Sequence, residues 1–375
     1  MIKVLNVITD TNIGGAGRIL VHYLKNFDRN RFDVYVAVPE GSLLTDEIKA
    51  AGYEVITTKY GKDKSFEMLA VRELYRIIKE LKPDIVHTHS SLSAKLAAYF
   101  AGVKSRIYTR HCAYDLPESA KRFPKKQISG FVNNTLSTAI VAVAPAAAEN
   151  LTDTGVDPEK ITVIMNGVEK LRVISDEDKL RLKKELGFDE SDFICTMSAR
   201  LEDVKGHDYF IKAAKTVSEK HKNVKYLIVG TGSLENELKK LTKELELDDN
   251  IKFTGFVSDV APYINITDLN VNCSWGTEAS SLAIAEAMSL SKPTLASIFG
   301  GNPSVISDGV NGLLVPKKDE AAIADAIARI YEDSALYDSL SRGAEKVYET
   351  KFTAAAMTRQ LEALYTKEAE RIKVR

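Results

Sequence analysis

Residues Ser274 to Pro293 read SWGTEASSLAIAEAMSLSKP, a pattern that predicts a buried helix carrying a carboxylate. Ser280 or Ser281 is a good N-cap for this helix, and Pro293 is expected to end it. From Leu282 to Met288 the helix would be apolar on every side, which is typical of a helix enclosed in a protein core.

Two glutamates lie in this stretch, at Glu278 and Glu286. Glu286 lies within the apolar run, where a carboxylate is costly unless a hydrogen bond satisfies it. Glu278 is expected in the loop before the helix, beside backbone N–H groups that suit an anion. An ordinary helix with one glutamate reaching solvent is the plain alternative, which the apolar surroundings weaken. A ligand rich in hydroxyls and phosphate would satisfy both glutamates.

Length, charge and cysteine content limit the class of protein. A chain of 375 residues is too long for one typical core, so two domains are expected. The 51 basic and 52 acidic residues balance, so nothing points to a nucleic-acid partner. Cys112, Cys195 and Cys273 lie far apart, which indicates a reducing compartment and not a disulfide framework. The start MIKVLNVIT predicts a strand and not a signal peptide, so a cytoplasmic protein is expected.

Apolar strands alternate with helices along the whole chain. The predicted strands are Val4–Thr9, Phe32–Val38, Tyr53–Thr57, Ile85–Thr88, Arg106–Thr109 and Ile161–Met165, then Phe193–Ser198, Tyr226–Val229, Ile251–Phe256, Leu269–Cys273 and Thr294–Ser297. This alternation predicts the α/β class with doubly wound parallel sheets. Asn166-Gly167 is predicted to begin the linker between the two domains.

A glycine-rich turn with Gly14, Gly15 and Gly17 follows the first strand. A strand–glycine–helix turn presents N–H groups to a phosphate. Leu20 stands where a dinucleotide-binding pattern has its third glycine, although Glu40 could mimic the ribose-binding acid of such sites. The nicotinamide interpretation is therefore weak. A turn that approaches another phosphate or a sugar is favoured, and a tight turn without a ligand stays open.

Three histidines follow strand ends. His87 and His89 flank Thr88, so both side chains point to one face of the sheet, and with His111 they could hold a metal. No carboxylate follows at metal-ligand spacing, so hydrogen-bonding residues that line a crevice are favoured and no metal is expected. Cys112 is adjacent to His111, and adjacent strand residues point opposite ways, which argues against a thiol–imidazole pair.

Residues 119–128 read SAKRFPKKQI and carry four basic side chains around Phe123 and Pro124. Such a run is usually a solvated loop. It also suits an anionic membrane surface, so peripheral contact with the inner face of the cell membrane stays open beside the loop.

Arg200 and Lys205 follow the predicted strand Phe193–Ser198. Two cations at the carboxyl end of a strand are well placed for a diphosphate, and an arginine can bind it bidentately. The alternative is a pair of solvent-facing loop charges.

Together these motifs resemble the retaining glycosyltransferases of family four, the group 1 glycosyltransferases. The resemblance covers nearly the whole chain and is strongest from Arg200 to Pro316. It implies the GT-B fold, in which two Rossmann-like doubly wound domains face each other across a cleft. The implied domains are an acceptor-binding domain at 1–168, a nucleotide-sugar-binding domain at 169–352, and a C-terminal helix at 353–375 that packs on the first domain.

The resemblance also implies roles for individual residues. Glu278 and Glu286 match the E-x7-E motif, in which the first glutamate binds the sugar and the second the ribose. GGAGR matches a glycine loop under the donor phosphates, and VIMNGVE matches the linker segment. The implied catalytic residues are His111, Glu278, Arg200 and Lys205. The implied donor-binding residues are Gly15, Arg200, Lys205, Val257, Glu278, Ser280, Ser281, Leu282 and Glu286.

The implied activity is transfer of a sugar with retention of configuration, from a UDP-sugar or other nucleoside-diphosphate sugar, without a metal cofactor. The implied acceptor is a hydroxyl of a bacterial surface glycan, a lipid-linked intermediate or a small molecule. Ala279 and Ser304 depart from the glycine and glutamate that the family commonly has, which puts the identity of the sugar in doubt. A GT-B sugar-nucleotide epimerase and a catalytically inactive binding relative are the alternatives.

Overall fold

The structure, a computed structural model, describes the backbone of residues 1–374 and the side chains of residues 1–371. The chain divides into two compact units. Unit 1 comprises residues 1–168 together with the segment that starts at Ala354, and unit 2 is Glu169–Thr353. Each unit is built on one parallel sheet with helices between successive strands, so the predicted α/β class is confirmed.

Unit 1 contains a seven-stranded sheet. Its strands are β1 (Ile2–Ile8), β2 (Phe32–Pro39), β3 (Glu54–Thr58), β4 (Ile85–His89), β5 (Ser105–Arg110), β6 (Ala139–Ala142) and β7 (Ile161–Val163). The order is β3-β2-β1-β4-β5-β6-β7, and the strand order reverses between β1 and β4, where Ile8 pairs with His89. Open parallel sheets bind ligands outside the carboxyl ends of the strands at such a reversal.

Unit 2 contains a six-stranded parallel sheet. Its strands are β8 (Phe193–Ser198), β9 (Val224–Val229), β10 (Ile251–Gly255), β11 (Leu269–Asn272), β12 (Thr294–Ser297) and β13 (Gly312–Val315). The order β10-β9-β8-β11-β12-β13 reverses between β8 and β11. The segments that follow these two strands carry Arg200, Lys205 and Glu278, so the reversal brings the predicted donor residues to one edge of this sheet.

Helices connect the strands in both units. They are α1 (Gly15–Asn26), α2 (Leu44–Ala50), α3 (Met68–Leu81), α4 (Leu92–Phe100), α5 (Lys125–Leu136), α6 (Pro145–Asp153), α7 (Asp176–Glu185), α8 (His207–Lys220), α9 (Glu235–Glu244), α10 (Ala261–Ile266), α11 (Leu282–Ser289), α12 (Asn302–Val305), α13 (Glu320–Glu332), α14 (Ser334–Val347) and α15 (Ala354–Val374). None of them, over residues 1–374, combines the length and apolar content that a bilayer span requires.

Helix α15 is part of the core of unit 1. Its Tyr365 is fully buried, and the ring packs against the rings of Phe27 and Phe32 with centroid distances of 5.8 and 6.0 Å. Its Glu368 accepts hydrogen bonds from the hydroxyls of Ser105 and Thr138. The last helix therefore packs into unit 1, although the whole of unit 2 lies between this helix and the first sheet in the sequence.

Two local predictions are wrong. Helix α11 ends at Ser289, before Pro293, and Ser291 then adopts a left-handed conformation with φ of 59°, so the turn and not the proline ends the helix. The basic run at 119–128 is not simply a solvated loop, because helix α5 begins at Lys125.

Candidate active site

The carboxylate of Glu278 is held by three side-chain donors. Its Oε2 accepts hydrogen bonds from Lys205 Nζ at 3.0 Å, Asn272 Nδ2 at 3.2 Å and Ser274 Oγ at 2.9 Å. The sequence predicted backbone N–H groups for this role, and that expectation is wrong. All the hydrogen bonds that the described residues donate to this carboxylate end on Oε2. Oε1 can therefore accept a hydrogen bond from a ligand hydroxyl.

Glycines let the two loops that carry Lys205 and Glu278 approach each other. Gly206 has a φ of 76°, and a Cβ there would lie 2.4 Å from the carbonyl oxygen of Cys273. A Cβ on Gly276 would lie 2.6 Å from a methyl carbon of Val204. The backbone N–H of Trp275 donates to the Val204 carbonyl at 2.9 Å, which fixes the register of the two loops. These close contacts leave room only for glycine. They bring the Lys205 ammonium to the Glu278 carboxylate.

A second layer of amides orients Asn272. Asn302 is fully buried, and its Nδ2 donates to the Ser297 carbonyl at 3.1 Å and to Asn272 Oδ1 at 3.4 Å. The backbone N–H of Ser274 donates to the same Oδ1 at 3.1 Å. Because the Asn272 carbonyl oxygen is occupied in this way, its NH2 group points to Glu278. Sequence reasoning missed Asn272, Ser274 and Asn302, since asparagine and serine are ordinary residues near strand ends.

Gly300 and Gly301 press directly on the loop that carries Glu278. A Cβ on Gly300 would lie 2.2 Å from the Glu278 carbonyl oxygen, and one on Gly301 would lie 1.4 Å from the Ala279 carbonyl oxygen. The two glycines therefore fix the backbone at the start of the E-x7-E segment. Ala279, the departure from the family pattern, is buried under this contact.

Arg200 is at the carboxyl end of β8 and is exposed. Its loop is pinned by the turn after β9, because a Cβ on Gly230 would lie 2.2 Å from the Ala199 carbonyl oxygen and the N–H of Leu201 donates to the Thr231 carbonyl. Arg200 thus faces solvent, whereas Lys205 is engaged with Glu278. A diphosphate at this loop would meet the exposed guanidinium and share the lysine with the carboxylate.

Helix α11 provides the remaining predicted donor residues of unit 2. Ser281 is at the N-cap as predicted, but its hydroxyl accepts from Asn272 Nδ2 at 3.3 Å and makes no capping bond. Leu282 begins the helix and stays partly exposed, next to the buried Ser280. Glu286 is 8% exposed, so its carboxylate lies inside the unit as predicted.

Val257 follows β10 and packs into the apolar interior of unit 2. Its side chain contacts clusters that contain Val229 and Ile264. The neighbouring Phe256 is 69% exposed and follows Gly255, whose φ is 71°. In this loop the aromatic ring of Phe256 is more exposed than the partly exposed side chain of Val257.

The three histidines of unit 1 form one row, in which His87 and His89 are buried and His111 is partly exposed. His89 Nδ1 lies 2.9 Å from His111 Nε2, and His89 Nε2 lies 3.3 Å from the hydroxyl of Tyr23. The ring of His87 is 4.5 Å from that of His89, and its nitrogens bond the hydroxyls of Tyr365 and Thr109, each at 2.6 Å. Helix α15 therefore positions the histidine row through Tyr365.

The direction of the hydrogen bonds fixes the proton on His111. Tyr23 donates its hydroxyl proton to Asn6 Oδ1 at 2.6 Å, so its oxygen accepts from His89 Nε2. His89 Nδ1 then accepts from His111 Nε2, which leaves His111 Nδ1 as an acceptor. Burial lowers the pKa of His111 to about 4, so this imidazole is neutral near pH 7. It can accept a hydrogen bond from a sugar hydroxyl.

Gly15 and Gly17 have different roles in the glycine turn of unit 1. Gly15 begins helix α1 and is exposed. Gly17 instead allows helix packing, because a Cβ there would lie 2.6 Å from Leu44 Cδ2. The Asp63 carboxylate braces the turn by accepting from both the backbone N–H and the hydroxyl of Thr11. Only the N-terminal part of the turn is therefore open to a phosphate.

Among residues 1–371, no group of three or more histidine, cysteine, aspartate or glutamate side chains is arranged to hold a metal ion. Five of the six ring nitrogens in the histidine row take part in the hydrogen bonds described above, and the sixth is His111 Nδ1. Cys112 donates its thiol to the Tyr114 hydroxyl at 3.0 Å, and Cys195 and Cys273 are buried.

Two family matches cover most of the chain. Residues 13–170 match the family Glycosyltransferase Family 4, and residues 178–347 match Glycosyl transferases group 1. The first match contains Gly15 and His111, and the second contains Arg200, Lys205, Glu278 and Glu286.

Individual proteins are similar over nearly the same length. The UDP-Gal:alpha-D-GlcNAc-diphosphoundecaprenol alpha-1,3-galactosyltransferase of Escherichia coli is 29% identical over 350 residues, 89% of each chain. The N-acetyl-alpha-D-glucosaminyl L-malate synthase of Bacillus anthracis is 26% identical over 84% of this chain and 83% of its own. Among solved structures, Anabaena HepE in complex with UDP and glucose superposes with a TM-score of 0.82 at 20% identity, covering 98% of this chain and all of that one. The likeness supports the GT-B fold.

Proposed function

This chain belongs to the group 1 glycosyltransferases of family four, and we propose that it transfers a hexose from a UDP-sugar to an acceptor hydroxyl with retention of configuration. The observation that carries the proposal is the Lys205–Glu278 pair, with Asn272 and Ser274 on the same carboxylate oxygen. Such an arrangement suits a sugar hydroxyl on one side and a diphosphate on the other. Relatives whose names include a UDP-sugar or a UDP complex support the choice of nucleotide.

The chemical task is to stabilise the negative charge that develops on the leaving diphosphate while the anomeric carbon becomes cation-like. The exposed guanidinium of Arg200 can bind the diphosphate bidentately, and Lys205 adds a second positive charge. In this proposal the acceptor oxygen forms its bond to the anomeric carbon on the same face from which the diphosphate leaves with its bonding electrons. The proton of the acceptor hydroxyl goes to the departing phosphate oxygen.

The other donor contacts follow the family pattern. We assign the ribose to Glu286, the diphosphate also to Gly15 and to the N–H groups at Ser280–Leu282, the base to the loop at Val257, and a sugar hydroxyl to the neutral His111. We also propose that no metal cofactor is needed, because Arg200 and Lys205 supply the positive charge that a divalent ion would otherwise provide. Activity that survives excess EDTA supports this assignment, and loss of activity that Mg²⁺ or Mn²⁺ restores contradicts it.

For the acceptor we propose a lipid-linked sugar in the synthesis of a bacterial surface glycan or glycolipid. The surface of helix α5 supports contact with a membrane. Gly130 packs so closely on Gly155 that a Cβ would lie 2.3 Å from the Gly155 carbonyl oxygen, which turns the opposite face outward. That face and the preceding turn expose Phe123, Ile128 and Phe131 by 60–81% of their surfaces. Apolar side chains among cations suit an anionic bilayer.

Vesicle sedimentation tests the membrane contact. We expect the protein to sediment with vesicles that contain phosphatidylglycerol. Replacing Lys125 and Lys126 by glutamine should weaken sedimentation about 30-fold, because each basic residue near the surface contributes about 1 kcal/mol. Replacing Ile128 and Phe131 by serine should weaken it at least about tenfold, because burial of each apolar side chain contributes about 1.5–3 kcal/mol. Val310→Ser, which removes an apolar side chain of unit 2 that is 53% exposed, is the control. Equal sedimentation of all variants contradicts the membrane contact.

A panel of UDP-, GDP- and ADP-sugars tests the reaction. Release of UDP together with a glycosylated lipid or glycan supports transfer. An altered sugar nucleotide without an acceptor product would instead favour an epimerase, and nucleotide binding without turnover of any donor would favour an inactive relative. A product with inverted anomeric configuration contradicts retention alone.

A further inference from the structure

Two cations of unit 1, Lys95 and Arg110, lie near Tyr108, and Arg110 is adjacent to His111 in the sequence. Lys95 in α4 has its Nζ 4.1 Å from the centre of the Tyr108 ring. Arg110, at the end of β5, follows Tyr108 by two residues and therefore lies on the same face of the strand. In the part of the chain whose side chains are described, neither cation forms an ion pair with a carboxylate.

Burial makes this arrangement costly. Lys95 is 6% exposed, and its Nζ donates to the neutral Oδ1 of Asn133 at 2.7 Å. Burial and the charge of Arg110 lower the pKa of Lys95 to about 8. Burial and the charge of Arg110 therefore disfavour the charged form of Lys95, for which no carboxylate among the described side chains provides a counter-ion. A bound anion would remove this cost, as anions do at clusters of buried cations.

Arg110 is the accessible member of the pair. It is partly exposed, its Nε donates to the Cys112 carbonyl at 3.2 Å, and its guanidinium lies 4.8 Å from the centre of the Tyr114 ring. These contacts hold the planar group at the carboxyl end of the sheet, one residue before His111. An anion bound there would therefore lie next to the residue assigned to the sugar.

We propose that Arg110 and Lys95 bind a phosphate or diphosphate group of the acceptor. This proposal rests on the proposed function and adds the chemical class of the acceptor and its binding residues. Arginine suits the bidentate contact with phosphate oxygens, and lysine supplies a point charge behind it. Asn133, the partner of Lys95, lies in helix α5, the helix that exposes Ile128 and Phe131. A phosphate that links a sugar to a lipid would thus meet the cations close to the helix proposed for membrane contact.

Acceptor discrimination tests the site. Two acceptors with the same sugar and short alkyl chain, one joined through a diphosphate and one as a neutral glycoside, are compared in detergent. The wild type should show a KM at least about tenfold lower for the diphosphate acceptor. Arg110→Gln and Lys95→Met should each reduce that preference to less than about threefold. Lys104→Gln, which removes an exposed cation at the opposite end of β5, should retain it.

Direct titration decides the question even if neither acceptor is used. Inorganic pyrophosphate is titrated calorimetrically into protein saturated with UDP, so that the donor site is occupied. Binding by the wild type that weakens at least about tenfold in Arg110→Gln supports the site, and no binding, or equal binding by both proteins, overturns it. If the wild type binds pyrophosphate but transfers no sugar, the proposed reaction fails and the anion site stands.

A third experiment distinguishes a lipid-linked acceptor from a soluble one. A soluble sugar diphosphate and a long-chain lipid-linked one in vesicles present the same anion. A lower KM for the vesicle substrate that depends on Ile128 and Phe131 assigns the site to a lipid-linked acceptor, and equal KM values assign it to a soluble one.

Discussion

Lys205 and Glu278 form a mostly buried ion pair of 3.0 Å although 73 residues separate them in the sequence. The loops after β8 and β11 bring them together, and Gly206 and Gly276 permit the contact. In the proposed reaction, a carboxylate that binds the sugar and a lysine that serves the diphosphate are therefore already assembled within unit 2.

We predict that Lys205 and Glu278 are energetically coupled, so that the effects of replacing them are not additive. Lys205→Met and Glu278→Gln should each reduce kcat at least about 100-fold, the loss typical when a positioned electrostatic group is removed. Each should also lower the free energy of unfolding by about 1–3 kcal/mol, because the remaining partner is left buried without its counter-charge. The double variant should be less destabilised than the sum of the two single variants. Strictly additive losses in urea unfolding would mean that the two groups do not interact.

Asn272 is predicted to be a positioning residue. Asn272→Ala removes one donor from Glu278 Oε2 and should lower kcat about tenfold while the donor KM rises, because the carboxylate loses its fixed orientation. Asn270→Ala is the matched control, since Asn270 is buried on the same strand but bonds Thr294 Oγ1. Steady-state kinetics with both variants separate the two cases. A fall in kcat of similar size in both variants would indicate a structural role only.

Gly301 is predicted to tolerate no side chain. Its φ lies in the ordinary range, so the cost of Gly301→Ala is steric and falls on the Ala279 carbonyl, 1.4 Å from the new Cβ. We expect a loss of stability of about 2–4 kcal/mol and displacement of Glu278, with kcat falling in parallel. Gly309 has a φ of 73° and open space around it. Gly309→Ala should therefore lower the stability by only about 1 kcal/mol, the cost of an alanine in the left-handed conformation. Thermal unfolding and turnover of both variants check this, and equal losses would refute the steric account.

Acid should destabilise unit 1 through its histidine row. Burial, with a smaller contribution from His111, lowers the pKa of His87 to about 3, and the pKa of His89 is also lowered. As the pH falls below about 6.5, the unfolded chain takes up protons that the folded one refuses, so stability declines until the folded pKa is reached.

The slope of the free energy of unfolding against pH tests whether His87 causes the loss of stability in acid. Each such histidine contributes up to about 1.4 kcal/mol per pH unit in this window. His87→Gln should be less stable at pH 7, because it loses the bonds to Tyr365 and Thr109, yet it should show a shallower decline between pH 6 and 4. Urea unfolding followed by circular dichroism measures both slopes. Identical slopes in the two proteins would show that His87 does not titrate on unfolding.

The alternation of strands and helices could be predicted because it depends on local patterns. Strands β8 and β12 have the bounds predicted from the sequence. Helix α5 could not be placed in this way. Its exposed Ile128 and Phe131 and its central Gly130 obscure the usual helical pattern, and its packing depends on contact with the distant Gly155.

The site was predicted as a set of residue types but not as a network. The sequence singled out Lys205 as a phosphate ligand and Glu278 as a sugar ligand, but their ion pair depends on a strand reversal that no local pattern encodes. Asn272 and Asn302 were missed for the same reason, since their side-chain contact joins residues 30 positions apart. The roles of Gly15, Val257 and Glu286 toward a donor stay predictions.

The most direct test of sugar transfer from a nucleotide donor compares Glu286→Gln with the wild type across the panel of nucleotide sugars. Thermal unfolding and nucleotide release are followed together. The account predicts that one UDP-sugar raises the melting temperature of the wild type by several degrees and is consumed, and that the variant, folded to the same extent, loses both effects. If no nucleotide sugar stabilises or reacts with the wild type, or if Glu286→Gln behaves identically, the account is contradicted.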